Sequence, residues 1–227
     1  MRSLGLYLGF SRSGGGGTPA PTPADFVVTN DAEFAAANTA ATAGQIIELA
    51  NTGTFTALTL TNATGITVRG ETYGVPVVRS FYMNGCTGAK VYGLNVQANA
   101  VPSGKPKLIA LSGNLNGCEV RYCTVRGGNP WNGYADFDPT VTDGSRMGSN
   151  ADGWSTVNPY ASDLWTGIGQ GASGTPSGTI LIADNDVSDV CEGIKFAHGG
   201  NGAVKINNNR VFRCYQDHIS FGWATGA

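Results

Sequence analysis

Charged side chains are scarce in this sequence. They make up 13 % of 227 residues, and 14 basic against 16 acidic groups leave a net charge of −2. Five of the basic groups are lysines. A protein that binds nucleic acid by neutralising phosphates needs a basic face, so that class is excluded. Apolar runs are short: none approaches the roughly 18 residues that argue for a membrane span. Glycine and proline share no three-residue period, which excludes collagen. Hydrophobic residues still reach 41 %, too many for a chain that stays disordered. Histidine is limited to His198 and His218, and the five cysteines, Cys86, Cys118, Cys123, Cys191 and Cys214, form no CxxC pair. No zinc site is predicted from so few ligands. The odd cysteine count points to a reducing compartment, with one disulfide left open. Cys191 and Cys214 lie 23 residues apart and are predicted to stack as inert interior thiols.

What the chain has in excess is glycine, 34 residues. Four of them, Gly14 to Gly17, separate an apolar stretch, Leu4-Gly5-Leu6-Tyr7-Leu8-Gly9-Phe10, from Thr18-Pro19-Ala20-Pro21-Thr22-Pro23. The stretch is short, is broken by glycine and lacks a small-residue cleavage site, so it fits a signal peptide poorly. Residues 1–24 read instead as a docking peptide with its tether, free at the glycines and stiff at the prolines, the alternative being a disordered end with no partner. Leu4, Leu6, Tyr7, Leu8 and Phe10 are the candidate anchoring residues. At the other end the chain stops at Phe221-Gly222-Trp223-Ala224-Thr225-Gly226-Ala227, straight after a strand-like stretch. This predicts that the 25–227 domain continues beyond 227 or is covered by something else.

A repeat runs through the rest. Segments opening at Ile66, Val91, Val120, Ile182 and Ile206 are spaced by 25, 29, 62 and 24 residues. Gly193-Ile194-Lys195-Phe196 and His218-Ile219-Ser220-Phe221 repeat at 25. Asn95, Asn185 and Asn209 precede repeat valines, and Gly70, Gly93 and Gly193 punctuate the segments. Such a period suits a solenoid whose short strands pair in parallel one coil apart, about 4.8 Å along the axis. Asparagine and glycine would take the left-handed corners. A β-sandwich would show hairpin spacings of about 8–12 residues instead. From about residue 45 to 227 the chain resembles the right-handed parallel β-helix of the pectin-lyase-like superfamily, an all-β fold.

Asn30 or Asp31 followed by an alanine-rich run predicts a capping helix over 31–43, ended by Gly44. The helix would cover the first coil, whose edge and core are otherwise open. The 62-residue gap holds some 37 residues beyond one coil, assigned to an insertion within 128–178. It carries Trp131, Tyr134, Trp154 and Trp165, flat apolar faces of the kind that sugars stack on, here candidate glycan-binding residues. They could equally form a small core that closes the loop. Asp136, Asp138, Asp143 and Asp152 could bind calcium, although no dedicated loop pattern is present.

The candidate catalytic residues are Glu192, Lys195, Asp217 and His218. The repeat brings Glu192 next to Asp217, one rung away. Two carboxyls about 5 Å apart could serve a retaining glycosidase. They could instead hold calcium; no cofactor is otherwise expected. Lys195 or His218 could abstract a proton beside a uronate carboxyl. Charged residues at solenoid corners are also ordinary solvated positions, and neither the aspartate motifs of polygalacturonases nor the arginine motif of lyases is present in full.

Leader, tether and β-helix together resemble bacteriophage tailspike and tail-fibre proteins. The leader is similar to those of tail proteins of phages and prophages of marine α-proteobacteria. The resemblance implies a homotrimer in the virion tail, joined to other tail or baseplate proteins by its N-terminus. It also implies contact with host-surface polysaccharide and, in some members, depolymerase activity. The alternatives are a secreted polysaccharide lyase or hydrolase and a non-catalytic adhesive β-helix.

Overall fold

Short apolar–polar alternations, broken every few residues by glycine or asparagine, dictate short strands separated by corners. The computed structural model describes residues 22–98, 107–127, 166–171, 176–198 and 203–223. The chain begins there with β1 (Phe26–Asn30), α1 (Asp31–Ala40) and β2 (Ile46–Thr61). It continues with β3 (Thr67–Gly70), β4 (Val77–Asn84), β5 (Lys90–Tyr92), β6 (Asn95–Gln97) and β7 (Lys107–Ser112). Then come β8 (Cys118–Arg121), β9 (Thr124–Arg126), β10 (Thr166–Gln170) and β11 (Thr179–Ala183). Last are β12 (Asp186–His198), β13 (Ala203–Asn207) and β14 (Arg210–Trp223). Every pairing between these strands is parallel. The architecture is a parallel β-helix, as the repeat spacing predicts.

Three interior columns hold it together, each built from one residue per coil. On the first face Ile47, Val68, Val91, Val120, Ile182 and Ile206 are successive Cα partners. On the second, Val78, Val96, Val125, Val187 and Val211 stack. On the third, Leu58, Phe81, Ile109, Ile168, Ile194 and Ile219 do so. All are essentially fully buried until the last described coil, where Ile206 and Val211 are partly buried and Ile219 is exposed. Like stacks on like because the pleat repeats every two residues and the coils are in register. Cutting one interior isoleucine to alanine costs about 2–5 kcal/mol through lost burial and the cavity left behind.

The register corrects several expectations. The first column uses Val68, not Ile66. Both are buried, two residues apart on the same face, so a period-two pattern alone cannot choose between them. Asn95 is no corner: it lies in β6 and pairs with Val77 and Thr124, while Gly93 takes the corner and the buried Leu94 follows it. Gly193 lies inside β12, where a Cβ would collide with the His218 carbonyl oxygen and the Val211 side chain, so its absent side chain permits close packing rather than a turn. Cys214 is the rung partner of Val190, not of Cys191, because the register shifts between Val190 and Glu192. The region 128–178 is not all insertion: β10 pairs with β7 and β12 as a regular rung.

The cap is as predicted in kind and shorter in extent. Asn30 is the N-cap, its side chain accepting from Glu33 N at 3.0 Å. Glu33 Oε2 in turn accepts from Thr29 N at 2.6 Å. That backbone donor is the main reason the Glu33 carboxyl sits below its ordinary pKa. Asp31 does other work, accepting from Thr56 N at 2.9 Å and so tying the helix to β2. The helix ends at Ala40, where the chain turns extended at Ala41, and Gly44 (φ +89°) falls in the turn beyond. Phe34 plugs the core edge-on against Phe81, with centroids 6.3 Å apart.

Candidate functional site

Where the first face meets the second, four successive coils turn through one left-handed residue. Gly93, Tyr122, Asp184 and Asn208 occupy this corner in successive coils, with φ of 64°, 58°, 58° and 50°. Glycine, aspartate and asparagine adopt that backbone readily; a bulky tyrosine is an outlier there and carries strain. The residues that follow, Cys123, Asn185 and Asn209, point inward and form a ladder. Asn185 Nδ2 donates to Val120 O at 3.0 Å and to Asn209 Oδ1 at 2.9 Å. Cys123 N donates to Asn185 Oδ1 at 3.0 Å. The asparagine stack expected from the repeat is therefore present at Asn185 and Asn209.

Outside this ladder stands a group of tyrosines. Tyr73, on the loop between β3 and β4, stacks on Tyr122 with centroids 5.9 Å apart and planes 23° from parallel. Tyr92 meets Tyr122 edge-on at 6.1 Å. The Arg121 guanidinium lies 4.8 Å from the Tyr122 ring centroid, a cation–π contact. Tyr73 is 50 % exposed and Tyr122 43 %, which leaves the stacked pair open to solvent.

Charge around the pair is closed upon itself. Arg121 donates to Asp184 Oδ2 through Nη2 at 2.6 Å and Nε at 3.2 Å. This contact, joined by Asn208 Nδ2 on Oδ1 at 2.6 Å, holds the Asp184 carboxyl below its ordinary pKa. Glu119 lies 3.6 Å from Lys90 and 3.8 Å from Arg121, and accepts from Tyr92 OH at 2.6 Å. Burial first, and then Glu119, push the Tyr92 phenol well above its usual range. Arg69 pairs with Glu48 at 2.6 Å. Three cations thus face three carboxylates.

A second polar group is buried in the third face. Glu192 is 2 % exposed; its Oε2 accepts from Thr166 Oγ1 at 3.0 Å, and its Oε1 pairs with Lys195 Nζ. Nearby in the same strand, Asp189 is also buried and accepts from Ser188 Oγ at 2.9 Å. Glu192 and Asp217 are Cα partners, as the 25-residue offset predicts. The side chain of Asp217 is outside the described set, and that of His218 is exposed. The structure thus joins Glu192 to Lys195 and keeps both carboxylate oxygens of Glu192 occupied. Trp131, Tyr134, Trp154 and Trp165, the four insertion aspartates and the leader residues Leu4, Leu6, Tyr7, Leu8 and Phe10 lie outside the described residues. Among the described residues no group of three or more His, Cys, Asp or Glu side chains is placed to hold a metal ion.

The tyrosine group is the part that sequence reasoning missed. Its signal was in the repeat: Val91-Tyr92-Gly93 and Val120-Arg121-Tyr122 align position by position, and set Tyr122 where neighbouring coils place glycine, aspartate or asparagine. In comparisons with known proteins the chain matches no family model, no curated protein and no solved structure.

Proposed function

We propose that this chain is a tail spike or tail-fibre protein of a bacteriophage or phage-like particle, held to the particle by residues 1–24 and contacting host-surface polysaccharide through its β-helix. The observation that supports this reading is the exposed Tyr73–Tyr122 pair, fixed on a rigid parallel scaffold beside carboxylate and amide groups. Aromatic rings offer a flat apolar surface to sugar C–H groups, and the polar neighbours can bond hydroxyls. The leader, an apolar peptide on a glycine- and proline-rich tether, supplies a docking segment for another tail or baseplate protein. A homotrimer would be the assembled form, the virion tail its location, and catalysis at Glu192, Lys195, Asp217 and His218 an added property of some such spikes.

The test is particle assembly with full-length chain and with residues 1–24 deleted, followed by adsorption of the particles to host cells. The expected result is that deletion abolishes incorporation and that stripping host polysaccharide abolishes adsorption. Normal incorporation of the deleted chain would remove the anchoring role.

A further inference from the structure

Resting on the reading of the β-helix as a glycan-contacting surface, we propose that Tyr73, Tyr122, Asp184 and Asn208 form a binding site for an uncharged pyranose, with the sugar lying against the exposed tyrosine pair. Charge is the first argument. An anionic sugar needs a free cation, and Arg69, Lys90 and Arg121 all face carboxylates, Arg121 through two hydrogen bonds to Asp184. A uronate here would also bring its own carboxylate toward Asp184 and Glu119, a like-charge contact. A neutral ring meets neither obstacle. Its hydroxyls can donate to the remaining lone pairs of Asp184 and to the amide oxygen of the exposed Asn208.

Rigidity is the second argument. Tyr73 reaches Tyr122 only because Gly93 lies between them without a side chain: a Cβ on Gly93 would collide with the Tyr73 ring. The loop is pinned below by Gly74 N donating to Gly93 O at 2.8 Å. Tyr122 is set by a left-handed corner that its own side chain disfavours. Two rings held in advance lose little freedom on binding, which favours weak, shallow ligands such as sugars. Glycine at position 122 would relieve the backbone and remove the ring, so fold and binding can be separated.

The experiment is native affinity electrophoresis of the full chain in gels containing dextran, mannan or galactomannan, and in gels containing alginate or polygalacturonate, each at low and high salt. Wild type is compared with Tyr122→Gly and Tyr73→Ala, and thermal unfolding checks that both variants fold. The expected result is retardation by at least one neutral polysaccharide, insensitive to salt, with affinity reduced at least tenfold in both variants. Retardation by the acidic polysaccharides alone would overturn the neutral-sugar site and leave the glycan-contact reading standing. Neutral binding unchanged in both variants would place the site elsewhere and overturn the proposal. Retardation in none of the gels would overturn the site and the glycan-contact reading together.

Discussion

Tyr73 stacks on Tyr122 across the corner at Gly93, joining a loop of one coil to the corner of a coil beyond its neighbour. In a solenoid, contacts run mainly between adjacent rungs. Here one missing side chain lets a contact skip a rung. The same corner in later coils holds Asp184 and Asn208, so stacking and hydrogen-bonding groups fall in one line along the axis. The line follows from the repeat itself, because equivalent corners of successive coils superpose.

Gly93→Ala tests that contact directly. The new methyl group meets the Tyr73 ring, and the left-handed backbone costs roughly 1–2 kcal/mol for a residue with a Cβ. A lower urea midpoint and a changed near-ultraviolet tyrosine circular dichroism signal are expected together. An unchanged tyrosine signal would mean that the ring does not depend on the gap.

The columns were legible in the sequence because burial on one face of a pleat forces period two, and coil length forces a period near 25. Ile194 over Ile219 and Phe196 over Phe221 pair as their spacing requires. The choice of Ile66 over Val68 failed for the same reason: both satisfy the pattern, and the preceding corner at Gly65 sets the phase. The Glu192–Asp217 register was legible, whereas the burial of Glu192 was not. Lys195 lies only three residues on, but the other partner, Thr166, sits on β10, a rung that none of the repeat segments aligned in the sequence includes. The tyrosine stack depends on a loop leaning across a rung, which no periodicity encodes.

Four thiols, those of Cys86, Cys118, Cys123 and Cys214, are free and buried. Burial pushes Cys118 up to about 11, and Cys123 and Cys214 up to about 12. Cys86 is raised for the same reason. The thiolate is the reactive form, so these four should resist Ellman's reagent at about pH 8 and react once guanidinium chloride unfolds the chain. Rapid reaction of all of them in the native protein would contradict the packing of the interior.

Acid should loosen the charged surface around the tyrosines. The Asp184 carboxyl is held below its ordinary value of 3.8, chiefly by Arg121 and then by Asn208. A depressed folded value means that its contribution is fully present above 3.8 and is lost as pH falls through the folded value. Asp184→Asn should therefore lower the melting temperature at neutral pH, and the difference from wild type should close as pH drops below the ordinary value. A gap that persists in strong acid would show that charge is not its source.

Glu192 poses the opposite problem, a carboxylate with almost no exposure. Lys195→Met leaves it buried with Thr166 as its remaining partner among the contacts seen here. Breaking a buried pair costs about 3–5 kcal/mol, and the part-exposed ammonium of Lys195 reduces this to about 2 kcal/mol. Glu192→Gln together with Lys195→Met removes both charges and should recover part of the loss. A double-mutant cycle in urea measures this; additive single effects would mean that the pair is not coupled.

The asparagine ladder gives the sharpest contrast between removing a group and misplacing one. Asn185 is 2 % exposed and fully bonded: it accepts from Cys123 N and donates to Val120 O and Asn209 Oδ1. Asn185→Ala leaves the buried Cys123 N and Val120 O without these partners, a cost of about 1–3 kcal/mol for each group left unsatisfied. Asn185→Asp keeps the acceptor for Cys123 N but turns a charged oxygen toward two others, in a site where burial disfavours the ionised form. At neutral pH it should be less stable than Asn185→Ala. As pH falls, protonation restores a donor and removes the charge, so the order should reverse. Urea midpoints of the two variants at neutral and acid pH measure this directly. If the order is the same at both, the corner is held by packing and not by the hydrogen bonds of the ladder.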